Sequence, residues 1–432
     1  MRLKNKSERK IWGWFVPAVA CFLCAMVVAS LCATDPQASA IATLPLPTGS
    51  FAVGKVTAHW VDESRIEPLS PSHDPRELMV DIWYPAEPST IQADYVDVPA
   101  YEKALGADGF QDFFREASET LKRGVRTHAF ASSPYAHSAK KAPVLIFSPG
   151  GGMVREVYAA QFEDLATHGY VVAAISHPYD AIVTLFPDGK QIAYSQQRWP
   201  KPPSLEGEAN LNQLEWHAND IRFVLDELTH ANSGSSLPIA GHLDLTRVGA
   251  FGHSFGGIAA AHACQLDRRF QACLNEDGVV AKRPLFLDER GWSMDQAFMF
   301  ITHDPPTRPL TDEQVAQMKM PRARIEAMVK RLEADQEGAL RNTGRGGYRV
   351  RLRSDKTTHM DFTDLPFLGA RDPADAERRT AILATVRSYT LAFFNQYIGG
   401  VNSDLLNQAA PPNELVDVVQ KFEPVKFPCP TH

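Results

Sequence analysis

The stretch that most constrains this chain is Thr246–Gly257, Thr-Arg-Val-Gly-Ala-Phe-Gly-His-Ser-Phe-Gly-Gly. Val248, Ala250 and Phe251 make a short apolar run, and the helix-forming Ile258-Ala259-Ala260-Ala261 follows the glycines. Strand, tight turn and helix therefore meet at Ser254. Gly252-His253-Ser254-Phe255-Gly256 fits the pattern of a nucleophile elbow, in which a serine occupies a strained turn. Gly252 and Gly256 leave room for strand and helix to pack close around the bend. The turn lifts the serine oxygen above the sheet and brings the first helical N–H groups, Phe255 foremost, near a reacting atom. Five positions match this pattern by chance in many proteins. The strand–turn–helix setting separates a nucleophile from an ordinary glycine turn.

That setting recurs along the chain. Phe51–Val61 and Glu77–Tyr84 carry β-branched and aromatic residues with Pro-rich punctuation, the antiparallel start of a mixed sheet. Pro143–Ser148 is a continuous apolar run suited to burial on both faces, and it empties into Pro149-Gly150-Gly151-Gly152-Met153. A helix at Tyr158–Thr167, a strand at Tyr170–Ile175, a hairpin at Ala181–Ala193 and a periodic helix at Glu208–Thr229 come next. Strands at Phe270–Asn275, Ala297–Thr302 and Tyr348–Leu352 then precede a long helix at Ala374–Tyr397. Strands separated by helices in this way predict an α/β fold, a mostly parallel central sheet with helices on both faces. Residues 95–137 read as a surface insertion. Residues 304–345 read as a helical insertion near the site, serving either as a helix packed on the core or as a cap over the pocket.

In such a sheet, catalytic groups gather at the carboxyl ends of the strands. Those ends hold Gly150–Gly152, Ser254, Glu276-Asp277, His303-Asp304 and Thr357-Thr358-His359-Met360-Asp361. The chain order of serine, acid and histidine is that of an α/β-hydrolase. His359 is the candidate base; His177, His253 and His262 read as packing or hydrogen-bonding residues. Both Asp277 and Asp304 follow strands that could present the acid. Asp304 precedes Pro305 and Pro306, which turn its backbone away from the sheet, whereas Gly278 lets the chain bend tightly after Asp277. Glu276 is next to Asp277, but strand alternation points it to the opposite side. The Gly150–Gly152 loop is the expected source of a second oxyanion donor beside the amide of Phe255. It lacks the lysine and hydroxyl of a nucleotide-binding loop. No histidine or carboxylate spacing suggests a metal site, so neither metal nor cofactor is expected.

The chain has 432 residues, a formal charge of −7 and 44% hydrophobic residues, which suits one large domain and argues against a nucleic-acid partner. Residues 1–10 carry five basic side chains, followed by the uncharged run Ile11–Ala33 and then Ala38-Ser39-Ala40. This is the layout of a signal peptide cleaved near Ala40, or of an uncleaved N-terminal anchor. Either way, export to the periplasm or outside the cell is expected, with residues 41–432 as one catalytic domain. Cys264 and Cys273 either pair or remain buried thiols; Cys429 is the remaining cysteine of the mature chain.

Leu46-Pro47-Thr48-Gly49, Val61-Asp62-Glu63-Ser64-Arg65, Arg76-Glu77-Leu78-Met79-Val80 and Trp83-Tyr84-Pro85 resemble the opening of the plasma-type platelet-activating factor acetylhydrolase family. Phe147-Ser148-Pro149-Gly150-Gly151-Gly152, the elbow, and His359-Met360-Asp361-Phe362 continue the resemblance to about residue 400. It implies an α/β-hydrolase fold, with Ser254 as nucleophile, His359 as base, Asp277 as acid one strand earlier than in most such folds, and Gly151 as the second oxyanion donor. It also implies a carboxylic ester substrate, such as a phospholipid with a short or oxidised acyl chain, met either as a monomer or at a membrane or lipid interface. Pro149 stands where the family usually has histidine, and Gly278-Val279-Val280 where it often has aromatic residues. A general short-chain carboxylesterase or polyester hydrolase is the alternative, with a non-catalytic binding protein of the same fold behind it.

Overall fold

The computed structural model describes residues 41–197, 208–234, 236–278, 287–288, 291–303, 311–317, 320–408 and 413–426. Its centre is a ten-stranded sheet. In chain order the strands are β1 (Ala52–Ile66), β2 (Pro75–Ala86), β3 (Ala129–Ala131), β4 (Ala142–Ser148), β5 (Val171–Ser176), β6 (Leu243–His253), β7 (Phe270–Glu276), β8 (Ala297–Thr302), β9 (Gly347–Leu352) and β10 (Val416–Phe422). Their spatial order is β10-β9-β8-β7-β6-β4-β5-β2-β1-β3. From β5 to β9 every neighbouring pair is parallel, and β2 and β10 flank this block antiparallel. The central strands β4, β5 and β8 are buried at every residue, as expected of parallel strands covered on both faces.

Strand alternation sorts the cover. Val144, Ile146, Val248 and Ala250 face one side, where Leu214, Ile221, Val224 and Leu228 of α3 (Glu208–Gly234) pack with Ala259 and Ala263 of α4 (Phe255–Leu266). Phe147 and Phe251 face the other. There Phe147 meets Phe162 of α2 (Ala159–Thr167) at 4.8 Å between ring centroids, and Phe251 meets Phe394 of α6 (Pro373–Phe394) at 5.5 Å. Cys264 of α4 and Cys273 of β7 form a disulfide, with Cα atoms 6.6 Å apart and both residues fully buried.

Several expectations need correction. The helical insertion expected at residues 304–345 holds two helices, Asp312–Gln317 and α5 (Arg322–Arg341). Ala339 and Leu340 of α5 join the core beside Phe298 and Phe300, and Glu333 pairs with Arg351 of β9. α5 is thus the crossover between two parallel strands and packs on the core, one of the two roles expected for residues 304–345; residues 304–310 and 318–319 of that insertion lie outside the described residues. The strand β10 escapes sequence reading because Asp417, Gln420 and Lys421 break the alternation of Val416, Val418, Val419 and Phe422, which an edge position allows. Residues 95–137 are also more than surface: Tyr95, Tyr101, Phe110, Phe114 and Leu121 are all buried. Among the described residues no helix is long and apolar enough to cross a membrane. The leader expected at residues 1–40 and Cys429 lie outside the described residues.

Candidate active site

β6 runs through His253, and α4 begins at Phe255, so the whole reversal falls on Ser254, at φ 54° and ψ −123°. A non-glycine residue there is strained and persists only where its surroundings hold it. The surroundings are tight. A Cβ on Gly256 would lie 2.0 Å from the carbonyl oxygen of Ser148, and one on Gly252 would lie 2.4 Å from the same atom. Both glycines are therefore required by close approach of the β4 end.

The register of the parallel strands sets the acid beside the serine. His253 pairs with Glu276, and Glu276 with Ile301, so the chains leaving β6, β7 and β8 emerge side by side. Ser254 N–H donates to Glu276 O at 2.7 Å, and Asp277 N–H to Ile301 O at 2.8 Å. The sequence reading gave the bend after β7 to Gly278. Instead Asp277 itself takes it, at φ 58°, and Gly278 is needed because a Cβ there would strike Ser254 O at 2.3 Å. Glu276 points to the opposite face, as alternation requires, and accepts from Gln161 and from Thr390.

His359 opens a short turn after β9, fixed by Thr358 N–H and Oγ1 donating to Asp361 Oδ2 at 2.7 and 2.9 Å, with Arg379 on the other carboxylate oxygen. Its Nδ1 lies 2.5 Å from Asp277 Oδ2 and its Nε2 2.9 Å from Ser254 Oγ. A carboxylate only accepts, so Nδ1 carries the proton and Nε2 is left to accept from the serine hydroxyl. Burial of the 5% exposed Asp277 opposes its charge. The hydrogen bonds and charges of His303 and His359 outweigh burial and hold the carboxyl well below the usual carboxylate range.

His303 was not given a role from sequence. Its backbone N–H donates to Asp277 Oδ1 at 2.9 Å, and its Nδ1 lies 2.9 and 2.8 Å from the two carboxylate oxygens. Its one sequence signal was its place at the end of β8, directly before the rival acid Asp304, which lies outside the described residues. His253 is a hydrogen-bonding residue. His359 O only accepts, so His253 Nε2–H donates to it at 2.9 Å, and Nδ1 of the neutral ring accepts from the Tyr158 hydroxyl at 3.0 Å, whose oxygen in turn accepts from Gly150 N–H at 3.2 Å. This chain ties the glycine loop to the base loop and requires a neutral His253. Burial, with His359 beside it, lowers its pKa to about 3. His253, Asp277 and His359 lie close enough to suggest a metal-binding trio, but the ring nitrogens of both histidines are engaged in these hydrogen bonds.

Met153 N–H closes the glycine loop onto Gly150 O at 2.9 Å, with Gly152 at φ +77°, the third-position glycine of a type II turn. Gly151 occupies the second position, exposed at the tip. A Cβ on Gly150 would lie 3.3 Å from Ser254 Cβ, so the loop stands directly over the nucleophile candidate. Beside the base loop lies a cavity of about 550 Å³, whose walls include Phe113, Met153, Thr358, Met360, Leu365 and Arg115. His262 lies away from this network on α4, and burial lowers its pKa.

A parallel sheet with a strained serine at its centre and a hydrogen-bonded histidine and aspartate above it defines a protein of the α/β-hydrolase class. Within that class, the chain belongs to the platelet-activating factor acetylhydrolase, isoform II, family, whose model matches residues 37–372. It is 29% identical over 273 residues to a probable 1-alkyl-2-acetylglycerophosphocholine esterase of Arthroderma benhamiae, covering 59% of this chain and 63% of that one. It is 27% identical to the platelet-activating factor acetylhydrolase of Cavia porcellus, over 53% of this chain and 54% of that one. These matches thus span between half and two thirds of the relatives' lengths. A ferulic acid esterase from Streptomyces cinnamoneus superimposes with a TM-score of 0.64 at 29% identity, covering 88% of this chain and 99% of the other.

Proposed function

We propose that this protein is an exported serine hydrolase that cleaves carboxylic esters through an acyl-enzyme. The observation that carries this reading is the pair of short contacts on His359, 2.9 Å to Ser254 Oγ and 2.5 Å to Asp277. Ser254 Oγ attacks the ester carbonyl while His359 Nε2 takes its proton. Asp277 keeps His359 in the required tautomer and stabilises the imidazolium. The amides of Gly151 and Phe255 receive the oxyanion, each donor contributing on the order of 10²–10³ in rate. The imidazolium then gives its proton to the departing alkoxide, and water, activated by the same base, releases the acyl group. No step in this sequence uses a metal ion or cofactor.

The substrates that fit the family are phospholipids carrying an acetyl or other short or oxidised acyl group at the second glycerol position. A general short-chain carboxylesterase is the second reading, favoured by the match that takes in nearly all of the ferulic acid esterase. The cavity lined by Phe113, Met153, Thr358 and Met360, on both sides of His359 in the chain, is the candidate acyl pocket. A fluorophosphonate should label the wild type at Ser254 and leave Ser254→Ala unlabelled; equal labelling of both sinks the serine-hydrolase reading. Hydrolysis of acetyl to palmitoyl esters on phospholipid and nitrophenyl carriers, with methyl ferulate beside them, then decides between the two substrate readings. Preference for the acetylated phospholipid supports the first, and indifference to the carrier supports the second.

A further inference from the structure

Beneath the glycine loop lies a second serine–histidine–aspartate arrangement that the reaction does not use. Ser148, the last residue of β4, lies 3.0 Å through Oγ from His177 Nε2, and His177 Nδ1 lies 2.8 Å from Asp220 Oδ2. All three side chains are sealed, with residue exposures of 0%, 1% and 0%. Asp220 also accepts from Arg76 Nε at 3.2 Å and Nη2 at 2.6 Å, and Arg65 Nη1 approaches it at 2.9 Å. A carboxylate so surrounded is an acceptor only. His177 therefore donates from Nδ1, its Nε2 accepts, and the Ser148 hydroxyl must donate to it. Burial, then the neighbouring His217, lowers the His177 pKa to about 4, so the ring is neutral in the working range.

No substrate reaches a serine with no exposed surface, so the arrangement is not a second active centre. Its neighbours show what it holds. The turn that follows His177 grips the other end of the glycine loop: Ile182 N–H donates to Gly152 O at 2.9 Å, and Gly152 bridges Ala181. The same turn is anchored through His177 O, which accepts from Asp180 and Ala181 N–H at 3.1 and 2.9 Å. The loop is thus fastened at Ser148 and at Gly152, with Gly151 between. His177 further stacks on His217 at 3.8 Å between centroids, and His217 meets the ring of Phe255 edge-on at 5.1 Å. One buried cluster therefore touches both backbone segments assigned to the oxyanion.

We infer that Ser148, His177 and Asp220 form a sealed positioning relay that fixes the Gly150–Gly152 turn in register with the oxyanion. The inference rests on the assignment of Gly151 as an oxyanion donor. Holding a donor in place matters because a misplacement of about 1 Å can cost on the order of a hundredfold in rate. A loosened donor acts chiefly on the transition state, so its loss lowers kcat and leaves KM nearly unchanged.

The test compares Ser148→Ala with Val224→Ala, a core truncation one helical turn from Asp220 that removes no donor or acceptor of the relay. Nitrophenyl acetate kinetics, the rate of fluorophosphonate inactivation and the melting temperature are read for each. Ser148→Ala should lower kcat and the inactivation rate at least about tenfold with KM within about threefold. Val224→Ala should lower the melting temperature while leaving both rates within about twofold. A Ser148→Ala rate within twofold of wild type, or an equal slowing in Val224→Ala, overturns the inference. Should Ser148→Ala not fold, ¹⁵N shifts of the wild type at pH 7 still test the relay. Nδ1-protonated neutral His177 is expected, and a proton on Nε2 overturns it. If the wild type itself is not labelled at Ser254, the serine-hydrolase reading has failed rather than the relay.

Discussion

Asp277→Asn isolates the orienting charge with little disturbance of the backbone. Asp277 sits at φ 58°, and asparagine is among the few other residues that tolerate that region. The amide must choose which end faces which partner. Oδ1 accepts the backbone N–H of His303 at 2.9 Å, while the His303 ring Nδ1 reaches both oxygens, at 2.9 and 2.8 Å. The backbone donor selects the amide oxygen there, which turns the NH₂ group toward His359 Nδ1. His359 must then accept at Nδ1 and carry its proton on Nε2, where it opposes the Ser254 hydroxyl instead of receiving from it. Flipping the amide sets the NH₂ group against the fixed backbone N–H of His303, which has no other conformation to adopt. The loss of turnover is therefore set by the wrong tautomer, about 10⁴ in kcat, or roughly 5–6 kcal/mol of transition-state stabilisation. The assay is kcat for nitrophenyl acetate hydrolysis alongside circular dichroism and the melting temperature. A loss smaller than about tenfold in a folded variant refutes the assignment of Asp277 as the acid. The reading also expects Asp304→Asn to stay within about tenfold of wild type, since a residue outside the triad lacks the tautomer role.

Three further outcomes follow from the same geometry. His303→Ala removes a ring donor from Asp277, leaving more negative charge to stabilise the His359 imidazolium. The acid limb of the kcat/KM profile should move to higher pH, and an unmoved limb assigns His303 a purely structural role. Burial pushes the Glu276 carboxyl up to about 8, so the folded state holds a proton that the unfolded chain has released. Its contribution to stability is complete below about pH 4.5 and is lost as pH rises through 8. Glu276→Gln should flatten the fall in melting temperature between pH 5 and 8, and an unchanged slope shows that Glu276 is ionised in the fold. The Cys264–Cys273 disulfide closes a short loop, and chain entropy gives it about 2–3 kcal/mol. The double alanine variant should lose that much in urea unfolding with kcat unchanged, whereas loss of activity at unaltered stability contradicts the assignment.

What the sequence determined by itself was local. The strained turn at Ser254 needs glycines at 252 and 256, because β4 and α4 approach closer than a Cβ permits, and that demand leaves its mark within five residues. Buried parallel strands likewise declare themselves as apolar runs, so Pro143–Ser148 and Ala297–Thr302 were legible almost to the residue. Tertiary structure set the contact of His359 with Asp277 across 82 residues, a pairing that the family resemblance implied but no local pattern fixed, and it alone joined Gly150, Tyr158 and His253 in one ordered hydrogen-bond chain. It also placed Ser148 on His177 and Asp220, all of which read locally as plain strand-end or helix residues. It turned Asp277 rather than Gly278 into the bend and put α5 on the sheet. It found β10 at an edge, where solvent tolerates Asp417, Gln420 and Lys421 among its apolar residues. The physical reason is one of range. Steric limits and burial act on neighbouring residues and are written into short patterns, whereas a hydrogen bond between distant side chains asks only for a donor and an acceptor, which many positions supply. Which of them meet is decided when the strands align in register.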